Sequence, residues 1–458
     1  MKVITLRRNF RPVSFGYETS QIYRHQILSQ EGIDNEYLVT TPFLSMYWWL
    51  RIAQMGFQAD CFKILPHLYS DLSDRKHTMT VEAFEHSIGN PSVLNTSDSG
   101  TTYQLPDGFL DTIVSNTGHV LRAIKRNSSL QVVEDSIVTE GLFYTDYRNG
   151  HFAYFNKDGS LSIQGETNGR ETYYRLPNQS HIQVTEADLV IDYLGKTASK
   201  NLVIINDQLQ ERMDEVVQFC EGHSIRYYDF LHYDKYYSND HRLLANPKPV
   251  RNNTLVASPY IIDKLKQEGI ETRFVNPIGV EPSRDLPNLT CNRFVLIGNF
   301  TRQKRINMAI EAFSLLPELT LDIYGGTLAD FQAMYPTENI PENVHFKGMI
   351  ASKAIRHQEY MGYLSCSETE MYANSLVESL GAGLLPILSD VDFAHSKTLR
   401  DLQMDTAFTD TDSLVAVLKR VAELSLEAKT SLAYKILAYA ENFNHAKAKE
   451  SLLQVLTC

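Results

Sequence analysis

Short apolar runs set the rhythm of this chain. Val3 to Leu6 reads as a buried strand, and Glu18 to Gln30 follows with Ile22, Ile27 and Leu28 among its apolar positions at helical spacing. Glu31-Gly32 closes that helix, and Asn35 to Thr40 reads as a second strand, the β-loop-α-β opening of a doubly wound domain. Between about 80 and 185 the period changes. Short runs alternate there: Val120 to Lys125, Leu130 to Asp135, Gly141 to Tyr147, His151 to Asn156, Leu161 to Gly165 and Glu171 to Leu176. Turn signals such as Arg148-Asn149-Gly150 and Lys157-Asp158-Gly159 separate them. Period-two alternation around Asn-Gly and Asp-Gly predicts hairpins, hence an antiparallel sheet inserted into the first domain.

The α/β rhythm returns at Asn201 to Asn206, with a helix from Leu209 to Cys220 and a strand near Tyr227 to Leu231. Thr254 to Ser258, a helix through Glu268 and Arg273 to Asn276 follow, and Val280 to Asn288, with Pro282 and Pro287, reads as a linker. A second set of strands succeeds it: Phe294 to Phe300, Leu321 to Tyr324, Val344 to Gly348, Tyr363 to Cys366, Leu385 to Ser389 and Thr406 to Phe408. Helices separate most of them, which predicts a parallel sheet covered on both faces, and the chain ends in helices, the last from Glu450 to Leu456. The fold class is therefore α/β. Residues 1–79 and 186–283 are expected to form a first Rossmann-like domain, 80–185 the inserted sheet, and 284–458 a second Rossmann-like domain with the final helices.

Composition narrows the classes of function. The 458 residues carry a formal net charge of −12, which argues against a broad nucleic-acid-binding surface and leaves room for a local basic cleft. The start lacks the pattern of a signal peptide, and no apolar run is long enough to span a bilayer, so a cytoplasmic protein is expected, with a peripheral place at the inner membrane face as the variant. The five cysteines are scattered and never spaced as CxxC, which points to reduced thiols and away from a zinc site.

Open parallel sheets bind ligands beyond the carboxyl ends of their strands. In the second half those positions hold Thr301-Arg302-Gln303-Lys304-Arg305, then Gly325-Gly326, then Gly348. Cations at a strand-to-helix turn suit a diphosphate, and glycines let a backbone approach a ligand or simply make a turn. The most informative segment is Ser367 to Asp390, SETEMYANSLVESLGAGLLPILSD. Glu370 falls in a loop and Glu378 one turn into the helix that Asn374 to Leu380 begins, so both carboxylates are expected to face one cleft. There they can receive sugar and ribose hydroxyls while the helix start meets phosphate.

That segment resembles the signature of retaining glycosyltransferase family 4, two glutamates with seven residues between them in a fixed context; Glu370, Asn374, Ser375, Leu376, Glu378, Gly383, Pro386 and Ile387 match it. The arrangement is also similar to poly(glycerol-phosphate) and wall-teichoic-acid glycosyltransferases and to the enzymes that glycosylate serine-rich surface proteins, which carry an antiparallel insertion in the first domain. The resemblance implies the two-domain GT-B fold and transfer of a hexosyl or N-acetylhexosaminyl group from a UDP-sugar, with retention, to a surface protein or polyol-phosphate hydroxyl. It implies no metal and no cofactor beyond that co-substrate, and a homo-oligomer or a hetero-complex with a related glycosyltransferase. By the same resemblance Glu378 binds the donor ribose, Glu370 the transferred sugar and Lys304 the diphosphate. Arg305, Gly325, Asn374, Ser375 and Leu376 complete the donor side, and Gly16 and His232 come from the facing domain. The acidic triplets Asp390 to Asp392 and Asp410 to Asp412 mimic a metal-binding DxD but read as turn residues.

Four positions depart from the family pattern. Asn299 stands where an arginine usually precedes the diphosphate lysine, Phe15 replaces the first of two loop glycines, Met371 replaces the glycine after the first glutamate, and Lys235 stands where a second histidine would follow His232. A neutral amide cannot replace a guanidinium on a leaving diphosphate. Two readings therefore stand: an active transferase with a rearranged set of cations, or a catalytically silent subunit that binds acceptor and stabilises an active partner. Other features keep bland alternatives. His232 also reads as a packed histidine, Tyr47-Trp48-Trp49 as core packing on a helix or as a contact with a partner or membrane, the tyrosines from Tyr227 to Tyr237 as an interface or a sugar platform, and the inserted sheet as packing, acceptor binding or oligomerisation.

Overall fold

The computed structural model describes residues 1–8, 16–40, 52–168, 171–177, 182–197, 201–207, 214–231, 253–267, 269–337, 339–350, 354–370, 372–391 and 394–457. Strands β1 (Lys2–Arg7), β2 (Asp34–Val39) and β3 (Phe62–Ile64) come first. The inserted run is β4 (Ser92–Ser97), β5 (Gly100–Leu105), β6 (Gly108–Val114), β7 (Val120–Asn127) and β8 (Val132–Val138), then β9 (Leu142–Asp146), β10 (His151–Phe155), β11 (Leu161–Asn168), β12 (Glu171–Arg175) and β13 (Val184–Thr185). After it come β14 (Leu202–Asn206), β15 (Arg226–Leu231), β16 (Thr254–Val256) and β17 (Thr272–Phe274). The last set is β18 (Arg293–Ile297), β19 (Thr320–Tyr324), β20 (Val344–Gly348), β21 (Gly362–Ser365), β22 (Leu385–Ser389) and β23 (Ala407–Phe408).

Three sheets result. A seven-stranded sheet runs β17-β16-β15-β14-β1-β2-β3, with the pairs of β1 to β14 and β2, β2 to β3, β15 to β16 and β16 to β17 all parallel. A ten-stranded sheet keeps its strands in sequence order from β4 to β13, neighbours antiparallel, as a meander of hairpins must. A six-stranded parallel sheet runs β20-β19-β18-β21-β22-β23. Every residue of β14, β21 and β22 is buried, which is why those strands read as unbroken apolar runs rather than as alternations.

The chain forms two compact units, Met1–Val13 with Leu28–Tyr228, and Ser14–Ile27 with Asp229–Cys458; their boundary falls inside β15. In the first, Phe143, Tyr154 and Tyr174 of the inserted sheet are fully buried, and Phe84 of the helix Val81–Ser87 packs with Tyr103, Leu110 and Val138. In the second, Phe294, Phe313, Leu321, Leu364 and Ile387 belong to one core that includes Leu418 and Ile436 from the helices after β23. Its helices used below are α1 (Gly16–Gln30), α2 (Ile306–Ser314), α3 (Asn374–Gly381), α4 (Ala394–Leu402) and α5 (His445–Thr457). Within the same unit Tyr23 of α1 shares a 2.6 Å hydrogen bond with Nδ1 of His445, the first residue of α5. The segment expected as a linker is tied down: the Val280 N–H donates to Phe443 O at 2.9 Å and the Ser283 N–H to Gly381 O at 2.7 Å.

Element bounds moved where local chemistry dictated. The strand expected at Leu130 to Asp135 is β8, because Leu130 takes φ of 63° in the preceding turn. The strand expected at Phe294 to Phe300 ends at Ile297, leaving Gly298, Asn299 and Phe300 to the turn. Strands β4 to β6 and the helix Val81–Ser87 fill the part of the insertion for which no individual run was read.

Candidate functional site

Three loops at the carboxyl ends of β18, β21 and β22 carry the signature residues. The turn after β18 is a short 3-10 segment, Arg302–Lys304, followed by Arg305 at φ 44° and ψ 45° before α2 begins. That left-handed backbone swings the side chain of Arg305 toward the next loop. Its Nε donates to Cys366 O at 2.6 Å and its guanidinium also reaches Ser367 O at 3.3 Å. The Glu368 N–H donates to Gln303 O at 2.8 Å, so the two loops are joined through their backbones as well. Between these ties the Lys304 ammonium donates to Oε1 of Glu370.

The loop after β22 supports the same glutamate. The Ala394 N–H at the start of α4 donates to Glu370 O at 3.0 Å, and Ser389 Oγ donates to Ser367 O at 2.5 Å. Ser367 Oγ in turn donates to Glu370 Oε1 at 2.9 Å. Burial would raise the pKa of this carboxyl, but Lys304 and His395, with the hydrogen bonds from Lys304 and Ser367, outweigh it and hold Glu370 below the usual carboxylate range. His395 on α4 is fully buried, its Nδ1 3.1 Å from Ser389 Oγ, and burial pushes its pKa down to about 4. It is neutral at physiological pH.

Helix α3 begins one residue after Ala373, which holds φ of 56° and ψ of 77° as the N-cap. Ser375 Oγ donates to Ile297 O at 3.2 Å and lies 2.9 Å from the Tyr363 hydroxyl. Asn374 Nδ2 donates to Ser20 Oγ of α1 at 3.5 Å, and Leu376 is buried in the core. Glu378 keeps partial exposure, as Glu370 does. Burial first, and then the negative charges of Glu370 and Glu378, push the Tyr363 phenol up, so both carboxylates act on one buried ring. The turns after β18, β19 and β20 are also knitted together: Gly298 N–H donates to Tyr324 O and Gly325 N–H to Gly348 O, each at 3.0 Å. Gly325 has φ of +116°, and a Cβ there would lie 2.1 Å from Gly298 O, so its backbone approaches another backbone turn.

The sequence-derived candidates fall into clear groups. Lys304, Arg305, Glu370 and Ser375 are brought together by direct bonds among their loops and strand ends, Asn374 bonds to Ser20 of α1, and Gly325 belongs to the knitted turns. Gly16 opens α1. His232, Phe15, Lys235, Met371 and Tyr47-Trp48-Trp49 lie outside the described residues. Asp410, the first residue of one DxD-like triplet, caps the helix Thr411–Glu423 by accepting the Ser413 N–H at 2.8 Å. Asp392 of the other lies outside the described residues. Among the described residues no group of three or more His, Cys, Asp or Glu is placed to hold a metal ion. Sequence reasoning passed over Ser367 and His395. Ser367 had a signal, three residues before Glu370, whereas His395 is placed by a turn that periodicity does not reveal.

Comparison with known proteins agrees with this architecture. Residues 283–441 match the model of glycosyl transferases group 1. A UDP-N-acetylglucosamine–peptide N-acetylglucosaminyltransferase GtfA subunit of Limosilactobacillus reuteri subsp. suis is 23% identical over 453 residues, covering 88% of this chain and 87% of the relative. The crystal structure of a GtfA/B complex superposes with a TM-score of 0.76 at 17% identity, over 100% of this chain and 99% of the other. A mutant of S. aureus TarM in complex with fondaparinux, alpha-GlcNAc-glycerol and UDP gives a TM-score of 0.70 at 13% identity, over 100% of both chains. Residues 283–441 thus match glycosyl transferases group 1, in a chain that has the GT-B fold with an inserted antiparallel sheet.

Proposed function

We propose that this chain is a glycosyltransferase of bacterial surface glycosylation, moving a sugar from a UDP-sugar to a hydroxyl of a surface protein or polyol-phosphate acceptor with retention. The observation that carries the reading is the meeting of Lys304 and Glu370 between the ends of β18 and β21, inside the group 1 segment. In this scheme Lys304 and the start of α3 receive the diphosphate, Glu370 the sugar hydroxyls and Glu378 the ribose. Asn374, Ser375 and Leu376 shape that side, with Gly325 and Arg305 setting the turns, and Gly16 and His232 acting on the reacting centre. The C1–O bond to the diphosphate breaks with its electron pair going to UDP, the acceptor oxygen bonds C1, and the acceptor proton passes to the departing phosphate or to water. Lys304 supplies the charge that a metal would otherwise bring. The names of the relatives support a UDP-N-acetylhexosamine donor and assembly with a related chain. Among the described residues no helix is long and apolar enough to cross a membrane. We place the work in the cytoplasm, before export, with a peripheral place at the inner membrane face as the variant.

Consumption of UDP-GlcNAc or UDP-glucose by the purified chain, compared with Glu378→Ala, tests this reading. Loss of about 2.7 kcal/mol of transition-state stabilisation, a hundredfold in rate, is the expected result for such a contact. Equal turnover removes Glu378 from the mechanism. Asn299 favours a second reading, a silent subunit that binds acceptor and stabilises an active transferase, because the turn after β18 then lacks the usual guanidinium. Acceptor binding with no UDP-sugar binding in calorimetry decides for the second.

A further inference from the structure

The two side chains expected to hold opposite halves of a donor hold each other. Lys304 donates to Glu370 Oε1, the same oxygen that Ser367 Oγ reaches at 2.9 Å. The other cations of the turn are committed elsewhere: Arg305 to the carbonyls of Cys366 and Ser367, and Arg302 over the ring of Tyr335, 5.7 Å from its centroid. Position 299, where a guanidinium is usual, is an asparagine. Among the described residues of the turn, Lys304 is therefore the cation best placed to move onto a diphosphate, and it is already paired. Its partner keeps 14% side-chain exposure and Lys304 itself 29%, so the pair is sheltered and yet open to a ligand.

Resting on the donor-site reading above, we propose that Glu370 competes with the diphosphate for Lys304, so that the pair discriminates a UDP-sugar from UDP and helps to expel UDP after transfer. Free UDP draws the ammonium away and leaves a carboxylate without its cation beside the incoming phosphates, an electrostatic cost. A UDP-sugar meets the same cost and offsets it, because hydroxyls of the sugar donate to the carboxylate. Once the sugar leaves, those donors are gone, Lys304 returns to Glu370, and UDP loses its principal cation. The pair thus works in both directions. It holds off the product and admits the substrate.

Calorimetry with the full chain tests this, using UDP and whichever of UDP-GlcNAc and UDP-glucose binds more tightly. Glu370→Gln, which keeps shape and removes charge, should bind UDP about fivefold more tightly than wild type, the scale of a partly exposed pair. Lys304→Gln should bind UDP more weakly than wild type, and the double variant should gain nothing over Lys304→Gln. Wild type alone gives a second readout, free of any folding effect: the UDP-sugar should bind more tightly than UDP. The proposal is overturned if Glu370→Gln, folded by circular dichroism, binds UDP no more tightly than wild type, or if wild type binds UDP as tightly as the UDP-sugar. Failure of wild type to bind any of these ligands is a separate result, which refutes the donor site and this proposal with it.

Discussion

Acidifying the protein from pH 7 to pH 5 offers a proton that the unfolded chain takes at a histidine the fold keeps neutral. His395 is fully buried on α4, its Nδ1 lies 3.1 Å from Ser389 Oγ, and its Nε2 has no hydrogen-bond partner among the described residues. Burial is the largest cause of its lowered pKa of about 4; Glu370 opposes the shift, and Lys304 and Arg305 add to it. An unfolded histidine titrates near 6.5. Between those values the unfolded chain binds a proton that the native chain refuses, so stability is complete above about 6.5 and falls as pH drops, until it levels off below about 4. Over the interval from pH 7 to 5 the linkage relation gives a loss of about 2 kcal/mol from this one group. For a unit of roughly 200 residues that corresponds to about 4–8 °C in the midpoint of its thermal transition. Burial also pushes the His67 pKa down, so wild type alone does not isolate the effect. His395→Asn removes the titrating nitrogen and keeps a polar group for Ser389. Scanning calorimetry at the two pH values should show the wild-type transition of the second unit falling by that margin more than the variant's. Parallel shifts refute the argument, whatever the variant's absolute stability.

Ala373 sits at φ 56° as the N-cap of α3, where a Cβ is strained. Ala373→Gly should raise stability by about 0.5 kcal/mol or more, read as a higher thermal midpoint; a lower one contradicts the strain argument. Gly325→Ala should destabilise by about 2 kcal/mol or more, because the new methyl meets the Gly298 carbonyl and φ is positive, and denaturant melts should show it. Tyr360→Phe removes the 2.8 Å hydrogen bond to the fully buried Asp322, whose other oxygen has no hydrogen-bond partner among the described residues, and should cost about 1.5–3 kcal/mol in the same assay.

The parts of the fold that show in the sequence are those with a period. Unbroken apolar runs such as β14 and β22 declare parallel strands, and hairpin turns at Asn149-Gly150 and Asp158-Gly159 declare the inserted meander. Strand β4 has no such mark, since all six of its residues are exposed and no alternation forms. Asp322 is another silent position: inside the strand Thr320–Tyr324 it reads as one polar residue of an alternation, yet it is fully buried, with Arg293 2.8 Å away. For the site, the spacing of Glu370 and Glu378 and the strand-end rule located the right loops. Neither rule reveals that Lys304 reaches across to Glu370, because that contact depends on the left-handed turn at Arg305 and the carbonyls it grips.

The hydrogen bond between Tyr23 and His445 joins positions 422 residues apart, and it belongs to the compact unit that holds the signature loops. The ribosome therefore makes one half of this contact 422 residues before the other. At roughly 5–20 residues per second, α1 waits on the order of a minute for the helix it docks against. The first unit's sheets can close during synthesis, whereas the second unit reaches its full set of contacts only after His445 has been added. A ribosome that stalls before His445 leaves behind a polypeptide whose helix α1 lacks that anchor, which makes such a fragment a natural client for chaperones and proteases.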